Sequence, residues 1–236
     1  MESSYRSVLV AVLAALWAGA AHAQSFGGSA GVASEYVFRG VSQSDGNPSG
    51  QLDLHYYGSR DWYAGVWAAS VRRGDERTTA ELNAYLGYNF AIVAPWNGSV
   101  TLVHYDYPWN HPRSSYAYDE LSATLAYSDR LFVSVAASPD TALDRSYGRT
   151  TRGAAFAYDL SGRRPLWHGW AADAGIGYYD LHRQLDAGYA YYSAGVDYRW
   201  RMLQLQVLYI GTDARAKRLF YEDAAHDWTA TALWRF

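Results

Sequence analysis

Cysteine is absent from the 236 residues, which removes a disulfide framework, thiolate catalysis, thiol-ligated zinc and lipid attachment through a cysteine. Charge is scarce and nearly balanced. With 20 Lys plus Arg against 23 Asp plus Glu, the formal charge is -3, so the basic footprint of a nucleic-acid partner is missing. Only 6 Pro interrupt the chain, and no apolar run reaches the ~20 residues that a membrane-spanning helix needs. Aromatic residues, by contrast, are abundant: 10 Trp, 22 Tyr and 7 Phe make up 17% of the sequence. Together with an apolar content of 50%, they place the chain far from disordered compositions.

Residues 1–23 read as a cleaved secretory signal: one basic residue at Arg6, an apolar run from Val8 to Ala18, then Ala21-His22-Ala23 as a small-x-small cleavage site before Gln24. Residues 24–236 then form one exported domain. If that domain enters a membrane, it does so as strands.

Alternation supports strands throughout. Ala80, Leu82, Ala84, Leu86, Tyr88 and Phe90 share one face, with Glu81, Asn83, Tyr85, Gly87 and Asn89 on the other, the period of two that marks a strand. The same reading marks twelve segments, at about 28–40, 49–58, 62–72, 78–90, 98–107, 115–127, 131–138, 151–160, 168–179, 190–200, 203–209 and 227–236. Every proline falls at or beyond a segment end, where a missing N–H breaks no ladder. Connections after the second, sixth and tenth segments are short and those after the fifth, seventh, ninth and eleventh are longer and polar, as in an outer-membrane barrel; the turns at 91–97 and 161–167 are the least regular. Tyr and Trp end many apolar faces, including Tyr88/Phe90, Tyr105/Tyr107, Tyr198/Trp200 and Trp234/Phe236, where two membrane interfaces favour amphipathic rings. The expected fold is all-β, a transmembrane antiparallel β-barrel of about twelve strands.

In such a barrel the polar faces line a lumen. The candidate pore-lining residues are Glu35, Arg39, Asp53, His55, Glu81, Asn83, His104, Asp106, Glu120, Asp173, Asp197, Arg199 and Arg235. Adding Asp159 and Arg72, eight acidic side chains oppose four basic ones, an excess that concentrates cations in a narrow pore. Ser134, Ala136, Ala155, Ala157, Gly175, Gly177, Ser193 and Gly195 make one wall thin. The six histidines after residue 23 show no metal-binding spacing with strong precedent, and no metal or cofactor is expected. Asp180 with His182 and His226 with Asp227 are acid–base pairs without a recognisable nucleophile, so no enzyme is expected. Arg72, Arg73, Asp75, Glu76 and Arg77 read as a solvated loop tip. The expected activity is passive diffusion of small hydrophilic solutes. An occluded barrel working through its outer loops, as an adhesin or rim hydrolase, is the alternative.

The stretch Ser34-Glu35-Tyr36-Val37-Phe38-Arg39-Gly40-Val41-Ser42-Gln43-Ser44, followed by Trp62-Tyr63-Ala64-Gly65-Val66-Trp67, resembles the opening of the TorF-type porin family of proteobacteria. That resemblance implies an outer-membrane channel and carries across no functional residues. The final strand has Trp228, Ala230, Ala232, Trp234 and Phe236 on one face, a pattern that the barrel-assembly machinery reads by strand addition. The expected partners are therefore that machinery, outer-membrane lipid and lipopolysaccharide, and small solutes; Arg215, Lys217 and Arg218 are of the charge that could touch lipopolysaccharide phosphates but read first as a solvated loop.

Overall fold

The computed structural model describes residues 25–58, 61–73, 78–108, 116–145 and 149–236. Its strands are β1 (Ser25–Ala33), β2 (Val37–Phe38), β3 (Val41–Ser42), β4 (Ser49–Tyr57), β5 (Trp62–Arg73), β6 (Thr78–Val93), β7 (Trp96–Asp106), β8 (Tyr118–Tyr127), β9 (Leu131–Arg145), β10 (Arg149–Pro165), β11 (Trp170–Asp180), β12 (Gly188–Trp200), β13 (Leu203–Thr212) and β14 (His226–Arg235). Two short helices follow strands at one end: α1 (His182–Leu185) and α2 (Ala214–Phe220). All strands except β2 and β3 form one closed antiparallel barrel of twelve, in which β1 pairs with both β4 and β14. Closure leaves no sheet edge. The expected signal segment, residues 1–23, lies outside the described residues.

The apolar faces point outward. Leu52, Leu54, Val66, Leu86, Leu102, Leu121 and Ile176 are between 42% and 57% exposed, while the alternate residues Trp67, Glu81, Asn83 and Glu120 are buried inside. A protein with its aliphatic side chains outside and its carboxylates inside has lipid for its surroundings. Outward rings girdle the end where the turns are short: Phe26–Tyr56 at 4.8 Å, Trp62–Tyr88 at 5.0 Å, Trp96–Tyr127 at 5.0 Å and Trp170–Tyr198 at 4.9 Å. Tyr209 with Tyr192 and Trp228 forms a second group toward the other end. Trp228, Trp234 and Phe236 all lie on the outer face, and Phe236 exchanges backbone hydrogen bonds with Gly28 across the β1–β14 seam.

Several boundaries differ from the sequence expectation. The first strand stops at Ala33 instead of continuing to residue 40, because the chain turns into the barrel there. β9 runs past Pro139 instead of ending before it. Its pairing with β10 jumps from Ser138↔Ala155 to Thr141↔Gly153, a bulge with one extra residue on β9. The proline's missing N–H falls at this break in the ladder. Two places that read as irregular turns, 91–97 and 161–167, are largely strand: β6 reaches Val93, β7 starts at Trp96 and β10 reaches Pro165.

On the inner face, glycines sit opposite tyrosines. Gly65 pairs with Tyr85, and Gly87 with Tyr63. A Cβ on Gly65 would fall 2.4 Å from the Tyr85 ring, and one on Gly87 2.2 Å from Tyr63. Each ring covers a backbone position that has no side chain of its own.

Candidate functional site

Between β1 and β4 the chain folds into the lumen and back. Its tip is Phe38-Arg39-Gly40-Val41, where Arg39 and Gly40 have φ of 48° and 76° and join β2 to β3 as a tight hairpin. Two successive positive φ values are what a two-residue hairpin turn requires. Gly40 is also the residue of closest approach, since a Cβ there would lie 2.4 Å from Thr212 Cγ2 and 2.8 Å from Tyr191 Cβ.

Three attachments hold this hairpin. Tyr36 is buried against Trp67 with ring centroids 5.4 Å apart, and its hydroxyl donates to Glu81 Oε1 at 3.4 Å. Arg39 donates from both terminal nitrogens to the two oxygens of Glu120, at 2.8 and 2.9 Å, the paired fork geometry that strengthens such contacts. Its guanidinium lies 4.6 Å from the Phe38 ring centre and 4.7 Å from that of Tyr179. From above, Ala225 N donates to Gly40 O at 2.8 Å and Val41 bridges to Ala224. The rest of the loop ties itself together: Gln43 N donates to Tyr36 O, Tyr36 N to Ser44 Oγ and Ser44 Oγ to Asn47 O.

The loop-end half of the barrel is therefore packed. One cluster joins Tyr36, Trp67, Val103, Tyr105 and Tyr118, with Phe38 against it; the other joins Ala136, Ala155, Ala157, Tyr179 and Tyr189, with Val41 against it. The small residues read as a thin wall face inward, and at this end they make room for the hairpin. Above it remains a vestibule of about 790 Å³, lined by Phe38, Val41, Tyr118, Tyr179 and Phe220 among others.

The turn-end half is polar. Asp53 contacts His55 Nδ1 and accepts from Tyr85 Oη at 2.8 Å. Tyr63 meets Thr101 at 2.5 Å, and Tyr191 donates to Asp159 at 2.5 Å. Asp197, fully buried, is contacted by Arg163, Arg199 and Gln204, and Arg163 also reaches Asp173 at 3.5 Å. Arg163 was absent from the sequence reading because it lies beyond residue 160, where the strand was expected to stop.

Of the predicted lining residues, Arg39, Asp53, His55, Glu81, Asn83, Glu120, Asp173, Asp197, Arg199 and Arg235 are inside. Glu81 and Asn83 contact each other at 2.9 Å beneath Tyr36. His104 and Asp106 are not inside. On β7 the buried alternation is Thr101, Val103 and Tyr105, which places His104 outward, 2.8 Å from Asp119 on β8, and Asp106 outward beside it. The cause is the hairpin, which makes the lumen apolar at that level, so Tyr105 stacks on Tyr118 at 4.1 Å and packs near Phe38. Tyr107 is likewise buried, so neither tyrosine belongs to the outer belt. Glu35 lies half-buried in the bend after β1, and Arg72 is exposed at the vestibule, where its backbone N–H donates to Gln43 O. Among the described residues, the bore from the hairpin to the turn end then holds six carboxylates, Asp53, Glu81, Glu120, Asp159, Asp173 and Asp197, against four guanidiniums, Arg39, Arg163, Arg199 and Arg235. Asp180 does meet His182, at 2.5 Å in an exposed loop, whereas His226 pairs with Tyr209. Asp75, Glu76, Arg77 and His111 lie outside the described residues. Among those described, no group of three or more His, Asp or Glu is arranged to hold a metal ion.

Comparison with known families resolves the chain's relationship. A family profile named Gcw_chp, for bacterial proteins of unknown function, matches residues 17–236. The chain belongs to the Gcw_chp family. The narrower TorF-type resemblance is not carried by that match. No curated protein matches the sequence. Among solved structures, this Gcw_chp chain is similar to the NanC porin, with a TM-score of 0.58 and 9% identity over 89% of this chain and 98% of the other. An outer membrane channel from Pseudomonas putida F1 gives a TM-score of 0.48 and 13% identity over 93% and 97%. The fold of the Gcw_chp chain is that of a porin-like barrel.

Above the vestibule, Asp213 caps α2, accepting from the backbone N–H groups of Arg215 at 2.8 Å and Ala216 at 2.9 Å, and from Ala190 at 3.1 Å. Partial burial opposes ionisation, but these donors outweigh it and hold the carboxyl below its ordinary range. Stabilisation from a lowered carboxylate is complete above the unfolded pKa of about 3.9 and is lost as pH falls through the lower folded value. Asp213→Ala is expected to cost about 1 kcal/mol at neutral pH, read from denaturant unfolding in detergent. The gap from wild type should narrow below about pH 4.

Proposed function

We propose that this protein is an outer-membrane channel for passive diffusion of small hydrophilic solutes, with the inward hairpin as its constriction. The observation that carries the reading is a closed barrel with an aliphatic outside and a charged, polar turn-end lumen that narrows at one in-folded loop. By the topology of such barrels, the short turns face the periplasm and the vestibule faces outward. Twelve strands close at a backbone radius of roughly 12 Å, so a segment of this size in the bore governs what passes. No chemistry on the solute is required; size and charge decide passage.

Among the described residues, the excess of acid over base from the hairpin to the turn end is two, with Glu120 engaged by Arg39 and Glu81 by Tyr36. The cation preference is accordingly weak and arises from Asp53 and Asp159 in the turn-end half. The occluded-barrel alternative draws on the same hairpin, which together with Ala224 and Ala225 obstructs the bore beneath the vestibule. Planar-bilayer recording of the purified protein separates the two: discrete conductance steps with a small cation-selective reversal potential support the channel. Silence of both wild type and a variant lacking Val37 to Ser42 would favour the occluded barrel.

The outward Trp228, Trp234 and Phe236 support a role for the last strand in recognition by the assembly machinery. Deleting Phe236 is expected to lower the amount of protein in the outer membrane without blocking export, as read by membrane fractionation. An unchanged amount would assign these rings to lipid contact alone.

A further inference from the structure

We propose that the lumen wall formed by β4, β1 and β14 binds small zwitterions, molecules with an ammonium and a carboxylate attached to one carbon, between Asp53 and Arg235. The inference rests on the channel reading for its biological use, since the site lies in the same bore.

The strand register brings the site together. Ser29 on β1 pairs with Asp53 on one side and with Arg235 on the other, so all three inward side chains stand in one row across three strands. The inner face of β1 is Ser25, Gly27, Ser29 and Gly31, which puts nothing larger than a serine between the acid and the base. Two strand spacings separate the backbones of β4 and β14 by about 10 Å, and the ion pair that Asp53 makes is with His55, not with Arg235.

Both ends are prepared for a ligand. Asp53 is fixed by His55 and by the Tyr85 hydroxyl, so its carboxylate is oriented before anything binds. Arg235 is the contrasting case. Among the described residues, the ion pairs of the lumen join Arg39 to Glu120, Arg163 to Asp173 and Asp197, and Arg199 to Asp197; none of these includes Arg235, on which Asp197 and Asp53 act only through space, and its Nε is buried without a hydrogen-bond partner. A buried donor left unmade is costly, and a carboxylate bound there removes the cost. Ser29 supplies a hydroxyl between the two charges, able to donate or accept.

A lone anion at Arg235 faces Asp53 across the row, and a lone cation at Asp53 faces Arg235. A molecule carrying both charges one carbon apart satisfies the two ends at once, with a hydrogen bond of about 2.9 Å at each. Preorganised, oppositely charged partners then favour it over either single ion.

The test uses the full barrel purified in detergent and probes it with glycine, acetate and methylammonium at equal concentration. Glycine is expected to raise the unfolding temperature and reduce potassium current through the channel, with acetate and methylammonium doing neither. Arg235→Gln and Asp53→Asn should each weaken the glycine response at least tenfold. Ser29→Leu, which keeps both charges but fills the row, should do the same. A general solute effect would stabilise all variants equally and overturn the site, as would an acetate response equal to that of glycine. Current that glycine leaves unchanged, in a barrel that glycine does not stabilise, also overturns it. Stabilisation by glycine in a protein that passes no current would keep the site and overturn the channel reading instead.

Discussion

Glu120→Ala is expected to destabilise the folded barrel by about 3–5 kcal/mol and to raise its conductance. The substitution leaves the Arg39 guanidinium, whose side chain is 8% exposed, without a counter-charge between the rings of Phe38 and Tyr179. An uncompensated buried charge is among the most expensive single changes available to a protein. The least costly escape is for the hairpin to withdraw and take Arg39 to water, which widens the bore. Replacing both partners by apolar residues, Arg39→Met with Glu120→Leu, removes both charges while keeping volume, and such exchanges are roughly neutral or stabilising. The double variant should therefore unfold near wild type and keep the low conductance. A double variant as destabilised and as conductive as Glu120→Ala would show that the ion pair, and not packing around Tyr36 and Phe38, seats the hairpin. Equilibrium unfolding in detergent and single-channel recording supply the two measurements.

Leu86→Arg is expected to cost about 2–4 kcal/mol, because Leu86 is 49% exposed on the outer face and its replacement must hold a cation in hydrocarbon. Ser161→Arg on the inner face of β10 should leave stability close to wild type and move the reversal potential toward anions, since lumen substitutions tune selectivity. Folding into lipid vesicles, followed by denaturant titration, reads the first effect. Equal costs at the two positions would contradict the assignment of faces.

Much of the barrel was legible because each strand buries one kind of side chain and exposes another, and a period of two survives errors at strand ends. The faces failed where both alternations were equally apolar. On β7, Val100 and Leu102 compete with Thr101, Val103 and Tyr105, and nothing local decides between them. The decision comes from a hairpin far away in sequence, which turns the lumen from wet to dry at that level. The hairpin itself read as strand, because Tyr36, Val37 and Phe38 continue the β composition of β1. Its signal was the Arg39-Gly40 pair, a turn dipeptide hidden inside an apolar stretch. The unusual order of that stretch marked it as special, but only the fold shows that it points inward. The Asp53–Ser29–Arg235 row was illegible for a different reason: it depends on the closing register of β1 with β14, a contact between opposite ends of the chain.

The hairpin also constrains the order in which the molecule is built. It belongs to the second and third strands in the chain, yet its anchors lie on β8, β11 and the segment before β14. The Arg39–Glu120 contact spans 81 residues, and the tie between Ala230 and Ser34 spans 196. Contacts of such separation carry a large loop-closure cost and form late. The hairpin cannot lock until nearly every strand is in place, and once the β1–β14 seam has closed it can enter only through the mouth. Seating should therefore appear in refolding as a separate slow phase after sheet formation. Trp67 fluorescence would report it through Tyr36, and the phase would vanish when Val37 to Ser42 are removed.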